Sequence, residues 1–173
     1  DIVGFLHADD LFIDNKVIEN VVDAFKNNDV DSVYSDLLYV DKQDINKVIR
    51  YWKSKPYKKN MFKWGWMPPH PTFFVKREVY EKHGAFNLDL PIAADYENML
   101  RLIHINDVSS FYLPQPLIRM RMGGLSNSSV KNIIQKTSED IKSWKINGLN
   151  LRWYTILLKN LSKIHQFFNK KIQ

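Results

Sequence analysis

The chain has 173 residues, of which 45% are hydrophobic and 25% charged, a composition that excludes intrinsic disorder and suffices for one sizeable core. It contains no cysteine, which excludes disulfides, thiolate catalysis and cysteine-bound zinc, and no apolar run reaches the ~18 residues of a membrane span. The 25 basic and 19 acidic side chains give a formal net charge of +6, and the positive charge is concentrated in residues 130–173.

The first part of the chain alternates patterns of strand and helix. Residues 2–6 form an apolar run that predicts a buried strand, and a helix is predicted from about Asp14, where Asp14 or Asn15 can cap it. Residues 32–40 are rich in aromatic and β-branched side chains, which predicts a strand with a bulge, and residues 47–51 alternate like a hairpin return. Residues 52–69 are irregular, basic and aromatic, so we expect a surface segment with one short helix.

The second part continues with short elements and ends in helices. A buried strand is predicted at 72–75, followed by a short helix at 76–83 that ends at Gly84. A helix is predicted from about residue 93 to 105, and strands are predicted at 111–113 and 117–122. Two helices, at about 128–146 and 150–170, complete the chain. This mixture predicts an α/β or α+β domain with a helical C-terminal appendage.

Carboxylates stand at two positions where ligand chemistry is expected. Asp9 and Asp10 follow the first predicted strand, at the type of sheet edge where α/β proteins bind ligands, and adjacent carboxylates suit Mg²⁺ or Mn²⁺ together with substrate phosphates. Asp95 lies near a helix N-terminus, which keeps a carboxylate ionised, as a general base requires. Helix capping is the alternative explanation of both positions, and the pattern leaves it open.

Histidine and arginine residues supply further candidates. His70 lies between two prolines just before a predicted strand, a position where histidine is commonly structural. Arg119 and Arg121 alternate along a strand, so they point to one face, where they either meet a diphosphate or are solvated.

Six segments in sequence order resemble glycosyltransferase family 2, of the bacterial polysaccharide-synthesis type with a GT-A fold. They are GFLHADD at 4–10, DSVYSD at 31–36, PHPTFFVKR at 69–77, GAF at 84–86, IAADYENMLRL at 92–102 and RMGGLS at 121–126. The resemblance implies that residues 1–128 are the C-terminal part of a GT-A catalytic domain, holding the metal and acceptor side. Residues 129–173 would form a helical basic tail.

The resemblance implies an inverting transfer of a sugar from a nucleotide-sugar donor to an acceptor hydroxyl, in cell-surface polysaccharide synthesis. Asp9 and Asp10 match the DXD-type motif of the family, in which Asp10 would bind Mg²⁺ or Mn²⁺ at the donor diphosphate. Arg121 matches a position on the diphosphate side. His7 is a departure, because family members often have Asn, Ser or Asp there.

The same resemblance implies which residues serve the acceptor. Asp95 matches the acidic residue that acts as the catalytic base on the acceptor hydroxyl. His70 and Glu97 would lie on the acceptor side. Ala94 is a second departure, because a Glu often precedes the base in related enzymes.

Family members place nucleotide-binding strands before the DXD-type segment, and this chain begins at that segment. The resemblance therefore implies that the N-terminal nucleotide-binding strands are lacking and that about half of the donor pocket is missing. We expect the polypeptide alone to be inactive, although it would come from an enzyme.

Two functions without catalysis compete with this interpretation. Lysine and aromatic residues interleave at 52–66, as in modules that bind single-stranded nucleic acid, but no nucleic-acid-binding motif occurs and we expect no nucleic-acid partner. The second tail helix carries apolar residues with lysines between them, which fits a helix on anionic lipid or a helix packed against the domain. With a carbohydrate or lipid-linked acceptor, the expected location is the cytoplasm, in peripheral contact with the inner face of the plasma membrane.

Overall fold

The computed structural model describes residues 1–123, 130–162 and 166. Over these residues the strands are β1 (Ile2–Val3), β2 (Asp10–Phe12), β3 (Ser32–Val40), β4 (Val48–Trp52), β5 (Phe74–Lys76) and β6 (Ser110–Arg121). The α-helices are α1 (Val17–Asn28), α2 (Arg77–His83), α3 (Ala94–Met99), α4 (Val130–Ile146) and α5 (Trp153–Leu161). Shorter elements are two 3₁₀ turns, Met61–Trp64 and His70–Thr72, and a π-helical continuation of α3, Leu100–Ile105.

The described strands form one sheet in the order β1-β5-β3-β6-β2, with β4 also paired to β3. β3 and β6 are parallel, and the other described pairings are antiparallel. β3 is buried along almost its whole length, as expected for a strand covered on both faces. The chain is therefore a mixed α/β protein, and the carboxyl ends of β3 and β6 meet at one edge of its sheet.

The core consists of two clusters on opposite faces of β3, where Val33 and Tyr34 alternate. The first cluster lies beneath α1, whose buried residues recur at helical spacing. The second surrounds α3 and includes Phe62, Tyr96 and Trp144, each no more than 3% exposed. Both helices of the C-terminal appendage are present, and α4 contributes Trp144 to this second cluster.

Gly65 allows α5 to pack directly against the turn that follows Met61–Trp64. Its φ is +78°, and a Cβ atom at this position would lie 2.3 Å from the backbone nitrogen of Lys159. A side chain therefore cannot be accommodated unless α5 moves, which makes this glycine a requirement of the contact.

The opening segment differs from its prediction. Only Ile2–Val3 is a strand, and Ile2, Phe5 and Leu6 are 38%, 41% and 44% exposed, so the prediction of a buried strand at 2–6 is wrong. The apolar run is exposed because β1 is the outermost described strand on its side of the sheet. Asp10 accordingly begins β2 and does not end a strand.

Two further predictions are corrected. The strands predicted at 111–113 and 117–122 form the single strand β6, which continues through Pro114 and Pro116 because its register against β3 shifts there. The segment at 52–69 does not lie wholly on the surface, since Phe62 is fully buried and the backbone N–H of Ser54 donates to Asp36. Aromatic side chains of this segment complete the cluster around α3.

Parts of three predictions lie outside the described residues, namely residues 124–126 of the RMGGLS segment, residues 128–129 of the first tail helix, and residues 163–165 and 167–170 of the second. In the described part of the chain, no helix combines the length and the apolar character needed to cross a membrane.

Candidate functional site

A cavity of about 560 Å³ opens at the carboxyl ends of β3 and β6. Ligands of open α/β sheets bind at this kind of edge, because the loops that follow parallel strands meet there. Its lining includes Tyr39 of β3, Met120 and Arg121 of β6, Arg50 and Trp52 of β4, His7, His70, Asp95, and Lys136, Asp140 and Lys159 of the C-terminal helices. The predicted base Asp95, the predicted acceptor-side residue His70 and Arg121, one of three residues predicted for the donor diphosphate, thus share one cavity.

The carboxylate of Asp95 faces this cavity beside His70. The His70 Nδ1 atom lies 3.0 Å from Oδ2 of Asp95, and the two side chains are 9% and 44% exposed, respectively. The imidazole is therefore held within the protein while the carboxylate is open to a ligand. Oδ2 of Asp95 thus lies against a buried imidazole without a hydrogen bond to it, while the carboxylate keeps an accessible face.

Local structure holds His70 in place. It begins a 3₁₀ turn between Pro69 and Pro71, and the hydroxyl of Thr72 in the same turn donates to the carbonyl oxygen of Ser35 on β3. The backbone N–H of Ser35 donates in turn to the Thr72 hydroxyl. The turn is consequently fixed to the central strand of the sheet.

Asp10 is a buried carboxylate behind the same cavity. It is 5% exposed, pairs in register with the cavity residue Met120, and its Oδ2 atom has no hydrogen-bond partner among the described residues. Burial raises the pKa of Asp10, and the neighbouring His7 opposes part of that rise. An unpaired buried carboxylate oxygen is costly, so this site favours a cation or a proton donor from a ligand.

Basic side chains give the cavity the character of an anion site. Arg121 lines it, and its buried Nε atom has no hydrogen-bond partner in the described part of the chain. Arg50 stacks over the ring of Tyr39 at 4.5 Å, and its Nε donates to Oε1 of Gln166 at 2.8 Å. Arg121 and Lys136 form a basic wall that suits a phosphate-bearing ligand, whereas Lys159, also in the lining, is buried and paired with Asp140.

The structure does not bring Glu97, Asp9 or Asp10 into the cavity lining. The Glu97 carboxylate is buried and accepts hydrogen bonds from Arg101 at 2.8 Å and from Asn147 at 3.0 Å. Arg101 also donates to the carbonyl oxygens of the segment before Asn87, so this ion pair ties α3 to its neighbours. Asp9 is exposed, next to the buried Asp10.

Sequence analysis missed Arg50, Lys136 and Lys159 as cavity residues. Arg50 lies in a short hairpin strand, and the two lysines lie on helices of a generally basic segment, so none stands out by type or spacing. One local signal exists, and it concerns Lys159. This residue lies one helical turn after Thr155 and Ile156, which are buried, and is itself 2% exposed. Tertiary packing alone brings the three together.

This chain matches no protein-family model and no curated protein.

Proposed function

We propose that this chain is the metal- and acceptor-side part of an inverting GT-A glycosyltransferase of family 2. In this proposal it moves a sugar from a nucleotide-sugar to a carbohydrate or lipid-linked acceptor. The observation that carries the proposal is the accessible Asp95 carboxylate beside His70, in a cavity with a basic wall. A positioned base next to an anion site is the arrangement that displacement of a diphosphate requires.

Asp95 is the catalytic base in this mechanism. His70 Nδ1 lies 3.0 Å from Oδ2 of Asp95, and in this mechanism the buried imidazole limits where the carboxylate can point. The remaining oxygen accepts the proton of the acceptor hydroxyl as the acceptor oxygen attacks the anomeric carbon. The new C–O bond forms on the face opposite the diphosphate, which leaves with the electron pair of the broken bond. The configuration at that carbon is thereby inverted.

The basic wall receives the leaving group. Arg121 offers its buried Nε and Lys136 offers a point charge from α4, and both line the cavity that Asp95 faces. Charge-assisted hydrogen bonds to a departing diphosphate strengthen as negative charge develops on it. This is the role that we assign to Arg121 in the donor site.

The residues fit one divalent cation of the type implied by the resemblance. The described residues contain no group of three or more His, Cys, Asp or Glu side chains that could hold a metal. Asp10 nevertheless has a buried carboxylate oxygen without a hydrogen-bond partner among the described residues. Mg²⁺ and Mn²⁺ commonly bind through one or two carboxylates plus substrate phosphates, so Asp10 would hold the cation together with the donor. When bound, the cation would offset the charge of the departing diphosphate.

Peripheral contact with a membrane is a second part of the proposal. The side chains of Trp153, Leu157 and Leu161 on α5 are 83%, 50% and 48% exposed, and the helix belongs to the basic end of the chain. Exposed apolar side chains next to basic residues favour the surface of anionic lipid. Such a contact would bring the cavity close to a lipid-linked acceptor.

The decisive experiment measures transfer by the protein. A panel of nucleotide-sugars is supplied with Mn²⁺ and with polysaccharide or lipid-linked acceptors, and release of nucleoside diphosphate is followed. Acceptor-dependent release, with an inverted anomeric centre in the product, supports the proposal. Salt-dependent binding of an oligonucleotide without any transfer would contradict it.

A further inference from the structure

We propose that Glu139 on α4 is the positioning residue for Asp95. The proposal rests on the proposed function in one respect, namely that Asp95 is the base. In structural terms, α4 supplies the N-terminal cap that α3 lacks. This cap determines the position of the Asp95 carboxylate in the cavity. Sequence analysis assigned α4 no part in the catalytic site.

Glu139 binds the backbone immediately before α3. Its Oε2 atom accepts hydrogen bonds from the N–H groups of Ile92 and Ala93, both at 2.8 Å, and its side chain is almost completely buried. Its other oxygen accepts a hydrogen bond from Nε2 of Gln135 at 2.8 Å. The α3 helix has no side-chain cap of its own at Ala93. A carboxylate from another helix therefore satisfies backbone donors near this helix N-terminus.

The same helix also holds the residue that follows Asp95. Nε1 of Trp144 donates to the hydroxyl of Tyr96 at 2.8 Å. Asp140 pairs with Lys159, whose Nζ atom lies 3.3 Å from the centroid of the Tyr96 ring. The segment that carries Asp95 is thus anchored to α4 on both sides, at residues 92–93 and at residue 96.

Asp95 needs such an anchor because its side chain is 44% exposed and, among the described residues, it is held only by the ion pair with His70. Misplacement of a catalytic group by about 1 Å can reduce a rate by ~10²-fold. Glu139 and Asp140 are the two acidic residues of residues 130–173, and both point inward to this anchor. Anchoring the segment that carries Asp95 explains why these two acidic residues occur in an otherwise basic segment.

The first experiment does not depend on activity. The ring signals of His70 are recorded by NMR in the wild-type chain, in Asp95→Asn and in Glu139→Ala. Glu81→Gln, on the exposed face of α2, is the matched control. We expect Glu139→Ala to move the His70 signals toward their Asp95→Asn positions, and Glu81→Gln to leave them in place. Should the alanine variant unfold, Glu139→Asp is used, because its shorter side chain cannot span the same distance to both amides. Unmoved His70 signals in the folded variant overturn the proposal.

The second experiment measures turnover of the full-length gene product. We expect Glu139→Ala to lower kcat by ~10²-fold with little change in KM for the donor. Glu139→Gln keeps one acceptor oxygen, so we expect it to retain most of the wild-type kcat. In an Asp95→Asn background, Glu139→Ala should have no further effect, because the group it positions is already inactive. If the kcat losses of the two single variants multiply in the double variant, Glu139 acts independently of Asp95. That result would make Glu139 a structural residue only and overturn the proposal.

The two experiments separate the two hypotheses. If Asp95→Asn retains full turnover, the proposed function of Asp95 fails, while the His70 signals still decide whether Glu139 positions it.

Discussion

The Nζ atom of Lys159 lies 2.7 Å from Oδ1 of Asp140, and the two side chains are 2% and 3% exposed. Burying a charge is costly unless it is paired, so each of these groups makes the burial of the other tolerable. The pair joins α5 to α4 beside the cavity, and it places a cation against the face of Tyr96. The stability of this region should therefore respond to the protonation of Lys159.

We expect the free energy of unfolding to rise with pH between about pH 8 and 10. Burial lowers the pKa of Lys159 from 10.5 to about 8, although Asp140 opposes part of that decrease. In this window the unfolded chain binds more protons at this site than the folded chain, so stability increases with pH. Below pH 8 the site is protonated in both states and its contribution is constant. Urea unfolding across the range measures the effect.

The reference for this measurement is the double variant Lys159→Met with Asp140→Leu, which removes the titration and leaves no unpaired charge. Other groups titrate nearby: burial raises the pKa of Tyr80 to about 12, which lowers stability above pH 10 as tyrosines of the unfolded chain ionise. Tyr80 is present in both proteins, so its contribution cancels when the free energy of unfolding of the double variant is subtracted from that of the wild type. A difference that falls between pH 8 and 10 would contradict the prediction.

Asp95→Asn should abolish transfer while preserving the fold. The amide is almost isosteric with the carboxylate but cannot accept the proton, so we expect kcat to fall by at least ~10²-fold. Thermal unfolding and donor affinity should remain near the wild-type values. Asp89→Asn, an exposed change in the preceding loop, is the control and should retain activity. Near-wild-type turnover in Asp95→Asn would show that another group is the base.

Asp10→Asn should remove the metal dependence of donor binding. The amide keeps the size of the side chain but loses the charge that would hold Mg²⁺ or Mn²⁺ at the buried oxygen. Calorimetric titration of the full-length gene product with a nucleotide-sugar, with and without Mn²⁺, checks this. Asp14→Asn is the control, because Asp14 is exposed and bonds only locally, to the N–H of Lys16. Equal Mn²⁺-dependent affinities in wild type and Asp10→Asn would refute the assignment.

Gly65→Ala should destabilise the protein more than Gly148→Ala does. Both glycines have a positive φ, +78° and +66°, so both substitutions carry a backbone cost of about 1–2 kcal/mol. At Gly65 the new methyl group also meets the backbone of α5, whereas at Gly148 nothing described lies within 4 Å. The difference in the free energy of unfolding between the two variants therefore isolates the helix contact. Equal losses of stability in the two variants would mean that α5 moves away from the new methyl group at no energetic cost.

Replacing Trp153 and Leu157 by Ser should reduce binding to vesicles that contain phosphatidylglycerol. Both side chains are at least half exposed on α5, and losing the burial of two large apolar groups should lower the bound fraction about tenfold or more. Co-sedimentation with anionic and with neutral vesicles measures this. Ile134→Ser on α4, also an exposed apolar position at 65%, is the control. If the double variant binds as wild type does, α5 is not the contact.

The local sequence pattern predicts the helices and strands of this fold better than it predicts which elements flank each of them. The strand at 32–40 is confirmed with its predicted bounds, because consecutive aromatic and β-branched residues suit a strand covered on both faces. The apolar run at 2–6 carries the same kind of signal, but its exposure depends on which strands flank it, and the local sequence does not encode that. The strands predicted separately at 111–113 and 117–122 are one strand, because a shift in register accommodates Pro114 and Pro116.

The candidate site was predictable where a motif carried it and not where packing alone created it. His70, Asp95 and Arg121 belong to segments of the resemblance, and they line one cavity. Glu97 belongs to the same segment as Asp95, yet Arg101 one helical turn later holds it away from the cavity lining. Arg50 reaches its place through a partner 116 residues away, Gln166, a relationship that no short pattern contains.

The parallel pairing of β3 with β6 has a consequence for how the protein is made. Paired residues of these strands are 78 positions apart at Ser32 and Ser110 and 81 apart at Val40 and Arg121, whereas the hairpin of β3 and β4 joins Val40 to Val48. Closing a loop of that length costs entropy before any contact compensates it, so the hairpin forms early and the parallel pair late. The cavity needs both strand ends and α5, so a chain emerging from the ribosome completes this cavity only after Lys159 has been added.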